Sequence, residues 1–165
     1  MLKSVLAAVL VVSAVGAVAA CGSDAPVASA VEIADREARA VLESTPWLDK
    51  APEAPNDIFS AYIFQRGEGV FVNGNQYRGS YDVFRYVVGT GVNAKRLEFT
   101  FLADLKAATS KFKIERVSNG PFDLRLTLKN APRGPKVYFG FDAQRDHTLP
   151  IELQRAVDHL ATHAR

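Results

Sequence analysis

Phe122-Asp123-Leu124-Arg125-Leu126-Thr127-Leu128-Lys129 and Arg96-Leu97-Glu98-Phe99-Thr100-Phe101-Leu102 are the two runs whose reading decides the fold. Apolar and polar residues alternate along both. Successive side chains of an extended strand point to opposite faces, so this period marks a strand with one buried and one wetted face. The pattern recurs across residues 57–141, broken by Gly, Asn and Pro turns. Residues 58–65 read as a first strand, turned at residues 66–69. Residues 70–72 lead into Asn73-Gly74, a dipeptide suited to a type I′ hairpin turn because that turn needs positive φ at both central positions. Gly79, inside the next run, suggests a bulge or bend. Residues 81–88 follow with Phe84, Tyr86 and Val88 on one face. Residues 96–102 place Leu97, Phe99 and Phe101 on one face, and residues 111–117 place Phe112 and Ile114 there. Residues 122–129 turn Phe122, Leu124, Leu126 and Leu128 inward. Residues 136–141 close the series with Val137, Phe139 and Phe141 inward.

Seven or eight strands with short links predict a mainly β domain, an antiparallel meander. A sheet this long tends to curl and close, which removes its edges. An eight-stranded barrel is just wide enough to be filled by side chains or to hold one small ligand. Ten Phe and five Tyr supply the bulk. The strands carry one charged and one apolar face, which suits a soluble core and excludes a membrane-spanning barrel.

The chain before the meander divides into three parts. Residues 1–20 read as a signal peptide: Lys3 supplies the positive start, and Ser4 to Ala20 carry no charge. That run is too short for a transmembrane helix, which needs about 20 residues. Residues 21–29, small and polar, read as a flexible tether. Residues 30–56 read as a helix followed by a proline-rich lead-in. Val31, Ala34, Ala38, Val41 and Leu42 recur at helical spacing over residues 30–43, with Ser29 and Glu32 placed as a capping box. The apolar stripe is thin, which predicts loose packing. Pro46, Pro52 and Pro55 predict an extended stretch that does not join a central strand, with Trp47 plugging one end of the core or, as the alternative, gripping a ligand. Residues 57–165 form the barrel-like domain. In it residues 149–164 read as a C-terminal helix, with Leu149, Leu153, Ala156, Val157 and Leu160 as its apolar stripe, placed on the barrel wall or over one mouth.

A net charge of +2 gives no case for nucleic acid. Residues 95–136 hold ten Lys and Arg against four Asp and Glu. This is either the solvated outer face of a sheet, with edge lysines that discourage strand addition, or a patch for anionic glycans or lipid head groups. No nucleophile elbow or phosphate loop is present. His147, His159 and His163 fall near the C-terminus. His159 and His163 share a helix face, but a site needs three or four ligands and no third is suggested, so no metal site is expected. No catalytic residue and no cofactor are expected, and the protein is read as not an enzyme.

Val18-Ala19-Ala20-Cys21 resembles the bacterial lipobox, which implies that Cys21 becomes the lipid-modified first residue of the mature chain. Cys21 is the chain's one cysteine, so an internal disulfide is impossible, and lipidation accounts for the thiol. The alternative is ordinary signal cleavage that leaves a soluble secreted protein. Gly22 rather than Asp follows the cysteine, which under the enteric sorting rule implies the outer rather than the inner membrane. The domain itself resembles the lipocalin-like domains of bacterial lipoproteins over about residues 47–160: a tryptophan before the first strand, an up-and-down meander, and a C-terminal helix. The family's Gly-x-Trp opening is replaced by Thr45-Pro46-Trp47, and Arg145 is the nearest counterpart of its basic residue on the tryptophan. The resemblance implies binding of a small apolar or amphiphilic ligand, with Tyr62, Phe84, Tyr86, Phe99 and Phe101 lining the interior and the membrane as partner through Cys21. The alternative is a non-catalytic structural or protein-interaction module of the cell envelope with a solid core.

Overall fold

The computed structural model describes residues 30–142, 145 and 148–163. The lipobox, Cys21, the tether, Ser29 and His147 lie outside the described residues. In chain order the elements are β1 (Val31–Glu32), α1 (Asp35–Ser44), β2 (Trp47–Leu48), β3 (Phe59–Gln65), β4 (Glu68–Gly74) and β5 (Gly79–Val88). A 3-10 turn (Gly91–Asn93) follows, then β6 (Arg96–Phe101), β7 (Ala107–Asn119), β8 (Phe122–Leu128), β9 (Val137–Gly140) and α2 (Ile151–His163).

The sheet is antiparallel throughout and runs β7-β6-β5-β4-β3-β2-β9-β8, with β8 pairing back onto β7. Eight strands therefore close into a barrel, as the alternating runs predict. β1 is a ninth, short strand. It pairs Val31 with Arg116 and Glu32 with Glu115, on the part of β7 that extends past its pairing with β6.

Two apolar clusters hold the fold, one inside the barrel and one outside it. The inner cluster gathers Trp47, Tyr62, Phe64, Phe84, Phe99, Ile114, Leu126 and Tyr138 among others. The outer cluster lies between α2 and the wall: Leu153, Ala156 and Leu160 are buried with Leu48, Phe59, Ala61, Ile63, Val70 and Val72. β3 is thus apolar on both faces, and its run Phe59-Ser60-Ala61-Tyr62-Ile63-Phe64 is buried without a break. Each fully buried large apolar side chain contributes roughly 1.5–3 kcal/mol.

Several expectations are corrected. The N-terminal helix does not start at residue 30. Residues 31–32 are drawn into β-pairing by the free edge of β7, and the helix starts after Ala34, with no side-chain cap. The helix is not loosely packed, since Ala38 and Leu42 are buried in the inner cluster. The proline-rich lead-in does supply a strand, because Trp47 pairs with Tyr62 and Leu48 pairs with Ala61 and Phe139. The tight two-residue hairpin falls at Arg66-Gly67, both at positive φ (46° and 95°), and not at Asn73-Gly74. Asn73 and Gly74 complete β4, and the next turn is built by Asn75, whose side-chain oxygen accepts from the backbone N–H of Tyr77 and Arg78. Gly79 is no bulge. It pairs directly with Gly74, where a Cβ would come within 2.4 Å of the Gly79 Cα. The register shift lies in β7 instead, between Arg116 and Asn119.

The inward face of β9 is also corrected. Tyr138 is the fully buried residue of the inner cluster, while Phe139 and Phe141 pack in the outer one and Val137 is exposed. Phe122, expected inside, belongs to the outer cluster as well, its ring 5.5 Å from Phe139 and 5.1 Å from Phe141. A second apolar layer under α2 explains both corrections, because that face of the wall is dry too.

Leu153→Ala should cost about 2–5 kcal/mol in denaturant unfolding followed by circular dichroism. The native emission of Trp47 should stay unchanged, because Trp47 sits in the other cluster.

Candidate functional site

The rings proposed from sequence as a ligand lining all face the barrel axis. Tyr62, Phe84, Phe99 and Phe101 are fully buried and Tyr86 nearly so. They also touch one another. Phe84 and Phe99 meet edge to face at 5.3 Å, Tyr62 and Phe84 at 5.8 Å, and Phe99 and Phe101 stack at 6.1 Å. Phe64, Phe71 and Tyr138 fill between them: Phe64 lies 5.2 Å from Tyr86, and Tyr62 lies 5.0 Å from Phe71 and 5.1 Å from Tyr138. Offset and edge-to-face pairs at these separations contribute about 0.5–1.5 kcal/mol each beyond their buried area.

α1 and Trp47 close one end of this interior. Trp47 Nε1 donates to the Leu42 carbonyl at 3.0 Å, one of the last carbonyls of α1 and so without a partner inside the helix. Glu43 accepts from the Tyr86 hydroxyl at 2.9 Å and from Arg39 at 3.0 Å. Burial is the largest effect on the Tyr86 hydroxyl and raises its pKa.

Residues 129–136 close the other end, and Arg133 is their centre. Its guanidinium lies 4.1 Å from the centre of the Phe101 ring. Nε pairs with Asp82 at 2.7 Å and a terminal nitrogen with Asp104 at 3.1 Å. Its backbone is used as fully: the N–H donates to the Tyr62 hydroxyl at 3.1 Å, and the carbonyl accepts from the Tyr62 and Tyr138 hydroxyls at 3.1 and 3.2 Å. Gly134, at φ 62°, lets the loop turn here, where a Cβ would stand 2.5 Å from the Tyr138 hydroxyl. The second carboxylate oxygen of Asp82 is buried with no hydrogen-bond partner among the described residues. Burial is also the largest effect on Tyr62 and Tyr138 and raises both pKa values. The sequence showed neither Arg133 nor its loop as a plug. A lone Arg between Pro132 and Gly134 carries no periodic signal, and its partners lie on β5 and the β6–β7 turn.

The basic bias of residues 95–136 is met by acids in space. Glu115 accepts from Arg125 at 2.8 Å and pairs with Lys113 at 2.7 Å. The Lys113 hydrogen bond is the largest influence on it and lowers its pKa. Lys95 pairs with Glu32 and Asp35, and Arg116 with Asp142. Arg145 pairs with Asp123 at 3.3 Å. An open cleft of about 620 Å³ lies between α1 and the β7–β8 wall, with Arg36, Glu37, Val41, Arg116, Leu124 and Asp142 among its walls. Its charges are of both signs.

His159 Nε2 lies 3.2 Å from the Tyr81 hydroxyl on the outer wall. Among the described residues no three His, Cys, Asp or Glu side chains come together as a metal site, and no helix is long and apolar enough to cross a membrane. These features define the class, a small closed antiparallel barrel with an aromatic interior and both ends stoppered. Comparison with family models, curated proteins and solved structures finds no match for this chain.

Arg133→Ala should cost about 1–3 kcal/mol, the range for a charge-assisted contact whose partner stays half-buried. Arg133→Ala combined with Asp82→Asn should cost less than the sum of the single changes, as a double-mutant cycle in denaturant would show. The three buried tyrosines set the alkaline limit. Their pKa values are raised in the folded state, so folding stability is untouched by them below their unfolded value of about 10 and falls as pH rises above it. Phenolate absorbance from Tyr62, Tyr86 and Tyr138 should therefore appear together with loss of near-ultraviolet circular dichroism.

Proposed function

We propose that this protein is a lipoprotein of the bacterial envelope, held on the membrane through Cys21, whose barrel is a solid, non-catalytic module acting through its outer surface. One observation carries the second half of this reading. The five rings that would line a ligand cavity are buried in contact with one another, between α1 at one end and the Arg133 loop at the other. A ligand entering between them would have to displace ring–ring contacts and at least one stopper. The lipobox Val18-Ala19-Ala20-Cys21 carries the anchoring half, and Gly22 favours the outer membrane over the inner. Several acyl chains on one cysteine hold stably, since each buried CH2 contributes about 0.8 kcal/mol.

A second reading is carriage of one small apolar or amphiphilic molecule. Closure of eight strands favours it, because that is the barrel size able to hold such a ligand.

Native mass spectrometry of the protein purified from its own host separates the two readings. The solid module is expected to show the mass of the chain with the acyl groups on Cys21 and nothing else bound, while a stoichiometric non-covalent small molecule would establish carriage. Cys21→Ser should move the protein from the membrane to the soluble fraction, and retention on the membrane would refute the anchor.

A further inference from the structure

We infer that the α1 end of the barrel rests on the lipid surface, with the turn Gly91–Asn93 touching it through Val92, and that the Arg133 end is presented outward. The inference rests on the anchor at Cys21 and goes beyond it, because anchoring alone sets no orientation.

The topology places the pieces. β6 runs from Arg96 at the α1 end to Phe101 at the other, and β7 returns, pairing Ala107 with Thr100 and Lys111 with Arg96. Glu115 and Arg116 of β7 therefore project past β6 at the α1 end, and there they hold β1. Lys95, just before β6, binds Glu32 and Asp35. The first described residue, Ala30, therefore leaves the domain at the α1 end, past the β5–β6 turn and one residue beyond the Val31–Arg116 pair. Cys21 is nine residues away, and nine residues reach at most about 30 Å. The link therefore keeps the exit point at the α1 end within about 30 Å of the acyl chains, and it attaches to no other part of the domain.

That end has the composition of an interfacial contact. Val92 is fully exposed in its turn, and Val31 and Val87, on the same end of the barrel, are more than half exposed. Arg66 is exposed at the tip of the β3–β4 hairpin, and Arg36, exposed on α1, pairs with Glu37. The charges around these apolar tips are of both signs, with Arg36 paired to Glu37 and Arg85 to Glu68, so the apolar tips rather than net charge suit the boundary of the acyl chains. Apolar exposure by itself would not choose the end, since Leu105 and Tyr77 are exposed at the other. The exit point of the chain makes the choice.

The native tryptophan makes the test clean, because Trp47 is fully buried and serves as a constant background. Lipidated Val92→Trp and Leu105→Trp proteins would be reconstituted into phosphatidylethanolamine–phosphatidylglycerol vesicles, with and without brominated acyl chains. Val92→Trp emission should fall by about half or more in brominated vesicles, while Leu105→Trp should match the unsubstituted protein. Val87→Trp provides a second position at the same end should the first variant fold poorly. Proteins that float with the vesicles but show no quenching at Val92 or Val87, or more at Leu105, would overturn the orientation. Protein that does not float, or that lacks acyl mass on Cys21, would instead overturn the anchor reading.

Discussion

A two-residue strand closes the molecule. Leu48 pairs with Ala61 on one side and Phe139 on the other, so β2 is what joins β3 to β9. Trp47 and Leu48 point to opposite faces, and each is fully buried in a different apolar cluster. The indole then reaches the end of α1 and satisfies the Leu42 carbonyl. So short a strand suffices because β3 and β9 are already held by β4 and β8.

The interior follows from that closure. Eight strands enclose a space about as wide as side chains can fill, and here aromatic rings fill it. An interior made of rings leaves polar hydroxyls that must find partners at its ends. Tyr86 finds Glu43 of α1, and Tyr62 and Tyr138 find the backbone of Arg133. The stoppers are therefore coupled to the core by hydrogen bonds as well as by packing. Arg133 adds its charge between Asp82 and Asp104 and over Phe101. With both ends taken up in this way, what distinguishes one end of the barrel from the other is its outer chemistry and the point where the chain leaves.

Legibility in the sequence followed burial on one face. β6, the 124–128 part of β8 and the Phe84-Tyr86-Val88 face of β5 each have one dry and one wet side, so alternation alone identifies their inward residues. β3, β9 and Phe122 do not, because α2 dries the outer face and removes the polar half of the pattern. The first third of β7, Ala107-Ala108-Thr109-Ser110, is too small and mixed to read as a strand and is recruited by pairing with β6. Local turn chemistry was outweighed once: Arg66-Gly67 takes the tight turn although Asn73-Gly74 is the better intrinsic sequence, since pairing of β3 with β4 extends from Gln65↔Glu68 through Phe59↔Gly74. The five candidate lining residues were legible as inward-facing. That they pack against one another was not, because ring contacts depend on the distance between opposite walls.

A mainly β antiparallel domain with a helix before and after it, the buried tryptophan and the identity of most inward residues were all readable along the chain. Those properties depend on periodicity and local chemistry, which are written along the chain. Tertiary structure alone decided that Trp47–Leu48 closes the barrel, that α2 lies on the wall rather than over a mouth, and that Arg133 seals the end opposite α1. Each joins residues far apart in sequence, Trp47 with Tyr62, Leu48 with Phe139, and Arg133 with Tyr62 and Asp82. Their stabilisation exists only when distant strands are brought together, so no local pattern is required to encode it.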